Sequence, residues 1–332
     1  MNFKKIFITG GGGYCGSRLV PYLLEKNYEV TVFDTFYFGN FLPIDNLKLK
    51  IVNGDIRDKS FLKESCKNHE VFINLACISN DTSFVLNEKL STSINLDAFE
   101  PMVIASKEAG IKRFIYASSS SVYGVSKERD VIEEHPLVPL TLYNKYKGMC
   151  EPLLLKHTSK DFEGVIFRPA TVCGYSPRMR LDLSVNILTN FAINKKEILV
   201  FGGNQLRPNL HIQDYCDVLL EFIKADSNMV SNQTYNVGYE NLSIMSIAQK
   251  VKQVIERKIK KTIDIKIEKS SDNRSYHINS DKIFNQLGFK PKKNIEYAIE
   301  ELFHFFNRGF IKNSFTDDSY YNVKTLKKLN VQ

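Results

Sequence analysis

A run of four glycines near the start of the chain has the composition of a phosphate-binding loop. The segment TGGGGYCG, at residues 9–16, follows an apolar run and opens a stretch with helical periodicity. Glycines at such a strand–helix junction let the backbone turn tightly and approach a pyrophosphate, whose charge meets the helix N-terminus. Two registers fit the run, from Gly10 through Gly13 to Gly16 or from Gly11 through Gly13 to Gly16, and spacing alone does not choose between them.

Two aspartates stand at the ends of the next two predicted strands. Asp34 lies 24 positions after Gly10 and ends the strand predicted over residues 29–34. A carboxylate there accepts hydrogen bonds from an adenosine ribose and repels a 2′-phosphate, so the predicted cofactor is NAD rather than NADP. A turn-capping role is the alternative for Asp34. Asp55 is placed to meet the adenine amino group, and a role as a helix N-cap is compatible with that contact.

The pattern Tyr-x-x-x-Lys, which places a phenol and an ammonium group on one helix face, occurs four times in the chain. Tyr22 lies in the first crossover helix, Tyr320 lies in the C-terminal tail, and Tyr123 precedes a glycine that disfavours helical alignment with its lysine. Tyr143 begins a helical stretch with Lys147 one turn later. A run of four serines at residues 118–121 stands at the predicted end of the fifth strand. The Tyr143 pair is therefore the candidate for chemistry.

Short β-branched runs alternate with amphipathic stretches through the first 170 residues, which indicates βαβ units and a parallel sheet. The predicted fold class is α/β, a Rossmann-type doubly wound parallel sheet with a smaller mixed α/β substrate-binding lobe. Strands are predicted at residues 5–9, 29–34, 50–53, 71–75, 113–117 and 164–168, with helices that include 14–26 and 92–109.

The alternation breaks after Pro169. Residues 174–181 are turn-rich, 263–268 read as a half-exposed strand, and 243–257 and 295–307 read as helices. The predicted domains are a dinucleotide-binding domain at residues 1–170 with about 209–240, a substrate lobe at 171–208 and 241–315, and a tail at 316–332. The tail is either a docked arm or a frayed end.

Together these motifs resemble the extended short-chain dehydrogenase/reductase family, the nucleotide-sugar epimerases and dehydratases. The resemblance spans roughly residues 4–310. Besides the glycine segment and Asp34, it is carried by Asp55-Ile56, Asn74-Leu75-Ala76, Asn95, SSSSVYG at 118–124, Tyr143 with Lys147, Arg168-Pro169 and RPNLHIQD at 207–214. The cofactor-binding residues that it implies are Gly10, Gly13, Tyr14, Cys15, Gly16, Asp34, Asp55, Ile56, Leu75, Ala76, Asn95, Ser118, Tyr143, Lys147 and Pro169.

The resemblance also makes Ser119, Tyr143 and Lys147 the catalytic residues. Removal of a hydride from a secondary alcohol requires its proton to leave at the same time, so the phenol must be charged near neutral pH. Its pKa, ordinarily about 10, must fall to about 7, a change of ~4 kcal/mol. Lys147 supplies positive charge, and Ser119 hydrogen-bonds the substrate oxygen.

The residues after Ser119 bear on the type of reaction. The family's 4,6-dehydratases carry an Asp-Glu pair where this chain has Ser120 and Ser121, so dehydration is not expected. The NADPH-dependent reductase/epimerases of the family have a cysteine at the position of Ser121, and Asp34 disfavours NADPH. Neither residue therefore fits that group. The nearest resemblance is to members that oxidise the sugar at C4, the 4-epimerases and the GDP-heptose 4-dehydrogenases. The chain alone does not choose between these two outcomes or between UDP and GDP.

The implied substrate is a nucleotide-diphosphate sugar, with a role in surface polysaccharide biosynthesis. The substrate-binding residues that the resemblance implies are Ser79, Ser120, Asn186, Arg207 and Arg274. Guanidinium groups bind a diphosphate in bidentate fashion, although surface ion pairs are the alternative for the arginines and a helix cap for Asn186. His211 either faces this site or packs as a structural histidine, and Pro208 removes a backbone donor from the segment.

Composition excludes several other classes of function. The net charge of +8 is spread along the chain, so nucleic acid binding is not indicated. No apolar run is long enough to span a membrane and the N-terminus lacks a signal peptide, so a cytoplasmic location is expected. The six cysteines are scattered, with no spacing for a metal site or a disulfide framework.

A homodimer is expected, because family members commonly pair through two helices that correspond here to residues 92–109 and 143–156. Pro101 and Pro152 lie within them and predict a kink or an early end. A non-catalytic NAD-binding scaffold or sensor is the alternative function. The intact set of Ser119, Tyr143 and Lys147 argues against it.

Overall fold

The computed structural model describes residues 3–126, 128, 130–269 and 275–329. Its strands are β1 Lys5–Thr9, β2 Glu29–Asp34, β3 Leu49–Asn53, β4 Val71–Asn74, β5 Arg113–Ala117, β6 Glu163–Pro169, β7 Thr171–Cys173, β8 Glu197–Phe201, β9 Leu206–His211, β10 Gln233–Val237, β11 Glu240–Ser243 and β12 Asp264–Glu268. Its α-helices are α1 Gly16–Glu25, α2 Lys59–Ser65, α3 Asp81–Phe84, α4 Glu88–Thr92, α5 Phe99–Glu108, α6 Leu142–Leu155, α7 Ser184–Lys195, α8 Ile212–Lys224, α9 Ser227–Val230, α10 Ile244–Ile259, α11 Asp281–Leu287, α12 Ile295–Asn307 and α13 Asn322–Leu329.

Seven parallel strands form the central sheet, in the order β10-β6-β5-β4-β1-β2-β3. The predicted doubly wound sheet is confirmed, and the strand order reverses between β1 and β4. Helices α1 and α8 cover one face of the sheet, while α2, α5 and α6 cover the other. A crevice opens at the carboxyl ends of β1 and β4, where sheets of this type bind ligands.

The second lobe contains the two smaller sheets. One has the order β11-β9-β7 and the other pairs β12 with β8 in parallel. Helices α7, α10 and α12 pack around these strands in a separate apolar cluster. In contrast, β10 returns to the central sheet and α8 packs beside α1, so the chain crosses between the lobes more than once. The division into domains at particular residues stays a prediction.

The helix predicted over residues 92–109 is divided in the structure. A π-helical turn, Ser93–Asp97, separates α4 from α5. Pro101 lies in the first turn of α5, where a backbone N–H has no helical partner and its loss costs little. In α6, Pro152 lies in the last turn, and the helix continues to Leu155. Neither proline therefore shortens its α-helix as the sequence suggested.

The C-terminal segment docks onto the body of the protein. The backbone N–H of Leu181 donates to the carbonyl oxygen of Tyr320 over 3.0 Å, and helix α13 follows. Of the two alternatives for this tail, the docked arm is the one observed. Within the described part of the chain, no helix combines the length and apolar character needed to cross a membrane.

Candidate active site

A cavity of about 770 Å³ lies at the carboxyl ends of the central strands and is lined by both lobes. From the first lobe come the glycine-rich loop and the ends of β2, β4 and β5. From the second lobe come residues between β7 and α7, together with Arg207 and Tyr276. The cavity therefore joins the dinucleotide motif to the residues expected to hold a substrate.

The glycine-rich loop fits a register that includes Gly10. The φ of Gly10 is +75°, and a Cβ there would lie 2.5 Å from the backbone nitrogen of Ala76. A Cβ on Gly16 would lie 2.5 Å from the carbonyl oxygen of Gly11. These two positions therefore require glycine, and the close backbone approach leaves a cradle above the N-terminus of α1 that suits a pyrophosphate.

Asp34 anchors the glycine-rich loop with both carboxylate oxygens. Oδ2 accepts from the N–H of Gly12 and Oδ1 accepts from the N–H of Phe36, each over 2.8 Å. Burial raises the pKa of Asp34 from its ordinary value, and these backbone bonds lower it in part. The carboxylate also lines the cavity, so it can contact a ribose while it holds the loop.

Asp55 lies beside Arg57 and lines the cavity. Its Oδ2 lies 2.6 Å from Nη2 of Arg57. Burial raises the pKa of Asp55, but the hydrogen bonds and charge of Arg57 outweigh that effect and leave the pKa below its ordinary value. The N-cap of α2 is Asp58, which accepts from the N–H of Phe61, so capping is not the role of Asp55.

Tyr143 and Lys147 lie one turn apart on α6 and both line the cavity. The helix begins after Thr141, whose side chain caps it by accepting from the N–H of Asn144. Nζ of Lys147 donates to the carbonyl oxygen of Ala117 over 2.7 Å, at the end of β5. This bond holds the ammonium group at the carboxyl edge of the sheet, next to the run of serines.

The other three tyrosines of the repeated motif do not line the cavity. The hydroxyl of Tyr123 is buried, donates to Oδ1 of Asn236 over 2.7 Å and accepts from Arg168 over 2.6 Å. Tyr22 is on α1, and Tyr320 is in the docked arm. The geometry therefore separates Tyr143 from its three sequence equivalents.

Burial raises the pKa of Tyr143 well above its ordinary value, Cys77 adds to that effect, and the Arg180 guanidinium lowers it. A phenol in this setting needs cationic neighbours to reach its charged form. Arg180 and Lys147 are two cations that line the cavity with Tyr143.

Three of the four serines, Ser118, Ser119 and Ser121, are ordered by side-chain hydrogen bonds. Oγ of Ser119 lies 2.7 Å from Oγ of Ser121, which in turn donates to Oδ1 of Asn144 over 2.5 Å. Ser118 donates to Glu151, a carboxylate that is also paired with Arg168. Because the Ser121 proton goes to Asn144, the Ser119 hydroxyl donates to Ser121 in this structure, and it must rotate away from Ser121 to donate to a ligand in the cavity.

Most of the residues predicted to bind cofactor or substrate line the cavity. They are Gly10, Gly13, Tyr14, Cys15, Gly16, Asp34, Asp55, Ile56, Leu75, Ala76, Ser79, Ser118, Ser119, Ser120, Tyr143, Lys147, Pro169 and Arg207. The guanidinium of Arg207 lies 5.1 Å from the ring centroid of Tyr276. Arg274 lies outside the described residues.

Two predicted contact residues lie behind the cavity wall. The amide of Asn95 bonds to both the N–H and the C=O of Ile78, at 2.8 and 2.9 Å. The Asn186 side chain is fully buried and bonds to Gly174, Tyr14 and Arg180. The hydrogen bonds of both amides are made inside the protein. The prediction that Asn95 and Asn186 contact a ligand is therefore corrected, and both residues instead hold the segments that form the cavity wall.

His211 is a packed structural residue. It is buried, its Nε2 lies 3.1 Å from Oε2 of Glu301, and its Nδ1 accepts from the N–H of Gln213 at the start of α8. Pro208 lies within β9, opposite Asn241 of β11. His211 thus stabilises the second lobe and does not face the cavity.

Arg178, Arg180 and Asn322 are among the cavity residues that sequence reasoning missed. The two arginines lie in the segment between β7 and α7 that reads only as turn-rich. Arg180 pairs with both oxygens of Asp182, at 2.8 and 3.1 Å, and contacts Oγ of Ser79 over 3.3 Å. Two arginines two positions apart in the loop after β7 were the available signal.

Comparison with known proteins identifies the family. Residues 6–238, more than half of the chain, match the NAD dependent epimerase/dehydratase family. The chain belongs to this family. NAD, the predicted cofactor, is thereby confirmed, and the resemblance to nucleotide-sugar epimerases and dehydratases is confirmed with it.

Relatives within this family carry out different reactions. A putative UDP-glucose 4-epimerase of Methanocaldococcus jannaschii is 28% identical, over 90% of this chain and 96% of the relative. A dTDP-D-glucose 4,6-dehydratase of Mus musculus is 26% identical, over 92% and 90%. The structure of UDP-glucuronic acid 4-epimerase from Bacillus cereus superimposes with a TM-score of 0.81 and 25% identity, over 92% of this chain and 99% of the other.

Proposed function

We propose that this protein oxidises C4 of a nucleotide-diphosphate sugar with NAD, as a 4-epimerase or a 4-dehydrogenase in surface polysaccharide biosynthesis. The observation that carries the proposal is the position of Ser119, Tyr143 and Lys147 on one cavity with the glycine-rich loop and Asp34. The relatives named for UDP-sugar 4-epimerases match nearly the whole chain and favour a UDP-linked substrate and epimerisation.

The residues of the chain divide the work of this oxidation. NAD, when bound, accepts the hydride from C4. Tyr143 as phenolate accepts the proton of the C4 hydroxyl, and Ser119 donates a hydrogen bond to the same oxygen. The Lys147 ammonium is held at the end of β5, where its charge favours the phenolate and it can bind the ribose of the nicotinamide.

The run of serines supports C4 oxidation without dehydration. Ser120 and Ser121 stand where the 4,6-dehydratases have their acidic pair, and a serine hydroxyl does not exchange protons as a carboxyl group does at neutral pH. Ser121 is also committed to Asn144 by its hydrogen bond. In this proposal, the similarity of the chain to a 4,6-dehydratase reflects a shared fold and a shared oxidation step at C4.

Cavity residues of the second lobe are the candidates for substrate binding. Arg207 is buried at the cavity wall and matches a family position that binds diphosphate. Ser79 and Ser120 line the same cavity as Tyr143 and are proposed to contact the sugar.

The test is a panel of UDP- and GDP-linked sugars, GDP-heptose included, incubated with the protein and NAD. Mass spectrometry and NMR separate the outcomes, because an epimer keeps the mass, a 4-ketone has lost hydrogen and a dehydration product has lost water. The proposal predicts an epimer or a 4-ketone from at least one sugar. A dehydrated product would contradict it, and NAD binding without any product would favour the scaffold alternative.

A further inference from the structure

The loop that carries Arg178 is fastened to the glycine-rich loop. Oγ of Ser176 donates to the carbonyl oxygen of Tyr14 over 2.7 Å and lies 2.9 Å from Oγ of Ser17. The backbone N–H of Arg178 donates to the same Ser17 over 3.2 Å. Because Ser17 lies in the first turn of α1, this part of the second lobe sits directly against the predicted pyrophosphate cradle.

Arg178 is a buried cation with incomplete pairing. Its exposed fraction is 2%, yet its side chain lines the cavity. Its Nη2 donates to Oδ1 of Asn322 over 2.5 Å and its guanidinium lies 4.1 Å from the ring centroid of Phe38. Among the described residues, its Nε has no hydrogen-bond partner and it forms no ion pair.

The buried positive charge of Arg178 would be stabilised by a bound anion. Burial, together with the charge of Arg180, lowers the pKa of Arg178 to about 9, and the charges of Asp182 and Asp34 act in the opposite direction. A buried guanidinium without a carboxylate partner is costly unless a ligand supplies the negative charge. The bond from the Arg178 backbone to Ser17 places this residue beside the N-terminus of α1, and the guanidinium lies against Phe38, which also lines the cavity.

We propose that Arg178 binds the pyrophosphate of NAD from the second lobe, opposite the glycine-rich loop. The inference rests on NAD as the cofactor and does not depend on which C4 reaction the protein catalyses. A guanidinium placed there forms charge-assisted hydrogen bonds that the backbone N–H groups of the loop cannot form. Binding of the cofactor would then fasten the two lobes together.

Asn322 is the positioning residue for this arginine. Its exposed fraction is 2%, and it stands at the start of helix α13 in the docked arm. Its Oδ1 accepts from Arg178, its Nδ2 donates to Ser79 over 2.8 Å, and its backbone N–H donates to Asp182 over 3.2 Å. The arm thus reaches the cofactor site through one amide that orients the guanidinium.

The experiment measures dissociation constants of NAD, NADP, adenosine and UDP by calorimetry, for the full-length protein and the variants Arg178→Gln, Arg178→Lys and Asn322→Ala. Arg257→Gln is the matched control, because that arginine has a side chain 65% exposed and lies away from the cavity. For Arg178→Gln we expect NAD affinity to fall about 10- to 100-fold, with adenosine and UDP changed less than about twofold. Arg178→Lys should bind NAD more tightly than Arg178→Gln but less tightly than wild type. Lysine keeps the positive charge, but it lacks the planar guanidinium that can form two parallel hydrogen bonds to a phosphate.

A double-mutant cycle tests the role of Asn322. If it acts through Arg178, Asn322→Ala weakens NAD binding in the wild-type background and adds little in the Arg178→Gln background. Fully additive losses would mean that Asn322 is only structural and would overturn that part of the proposal.

Unchanged NAD affinity in Arg178→Gln would overturn the assignment of Arg178. So would a loss confined to UDP, which indicates the substrate diphosphate, or a loss confined to NADP, which indicates a 2′-phosphate. If Arg178→Gln fails to fold, the comparison of Arg178→Lys with wild type decides, and equal NAD affinity in these two proteins would contradict bidentate binding. Absence of C4 chemistry with intact NAD binding would refute the proposed function and leave this inference standing.

Discussion

Lys147 and Ala117 are joined by a hydrogen bond of 2.7 Å from the lysine ammonium to the carbonyl oxygen at the end of β5. The same ammonium lies 5.1 Å from the ring centroid of Tyr116, so its position is fixed by two contacts with one strand. Tyr143, one helical turn earlier, is thereby presented to the cavity next to the residues that follow β5. This arrangement makes Tyr143 the base in our account.

Replacement of Tyr143 by phenylalanine should abolish turnover while NAD and the nucleotide sugar still bind. One hydroxyl is removed and the ring still packs, so the loss reflects general-base catalysis, typically ~10²–10⁴-fold in rate. The measurement is kcat together with the dissociation constants of both ligands for Tyr143→Phe.

The repeated Tyr-x-x-x-Lys motif supplies matched controls for this variant. Tyr22→Phe and Tyr320→Phe should retain turnover, because neither tyrosine lines the cavity. Tyr123→Phe is the stricter control: it removes buried hydrogen bonds to Asn236 and Arg168, so it should lower thermal stability more than kcat. Near-normal rates in Tyr143→Phe with an inactive Tyr123→Phe would show that the active-site register is wrong.

Arg180 should influence the pH dependence of the reaction through Tyr143. Its positive charge lowers the pKa of that phenol, against the effect of burial. In Arg180→Gln the pKa of Tyr143 therefore rises, and the acidic limb of the kcat/KM profile, below which the phenol is protonated, should move to higher pH.

Asp182→Asn provides the opposite change for the same test. It removes the negative charge paired with Arg180, so the profile should move to lower pH. Movement of both profiles in one direction, or of neither, would show that Arg180 does not act on the base electrostatically.

Asp34 should make the protein prefer NAD to NADP. Its carboxylate lies at the cavity wall and repels a 2′-phosphate, so we expect NAD to bind at least ~10-fold more tightly. In Asp34→Ser the repulsion is lost, and the ratio of the two dissociation constants should approach one. Titration of both cofactors checks this expectation, and equal or tighter binding of NADP to the wild-type protein would refute it.

The protein is expected to be a homodimer that pairs through the surfaces of α5 and α6. Helix α6 is continuous through Pro152, so a long helical surface is available for this contact. Sedimentation equilibrium at micromolar concentration should give a mass near twice 38.1 kDa. A single species of monomer mass would contradict the expectation.

The sequence predicted the elements of the first lobe because local patterns decide them. The β-branched run that ends in Asp34 is the strand β2 residue for residue, and the glycine segment opens α1 as expected. The same reasoning failed over residues 92–109, where a π-helical turn holds Asn95 against Ile78. That turn depends on a contact with another loop, which periodicity along one segment does not reveal.

The sequence predicted which residues line the cavity where a motif lies next to a strand end, but not where the contact is distant in sequence. Asn322 and Ser79 are separated by 243 positions but are bonded in the structure. Asn186 was expected to contact a ligand, but its amide instead hydrogen-bonds to Gly174 and Tyr14. Which polar groups face inward or outward is set by the packing of the two lobes.

The most direct test of C4 oxidation uses a nucleotide sugar deuterated at C4, chosen from the panel as a sugar that the protein converts or for which it shows reduced-nicotinamide absorbance. Our account predicts a primary isotope effect on formation of the reduced-nicotinamide absorbance band in a single turnover, with deuterium transferred to the nicotinamide. The same sugar deuterated at C2 should show neither effect. Equal rates for the C4-labelled and unlabelled sugars, with no deuterium on the cofactor, would contradict hydride removal from C4.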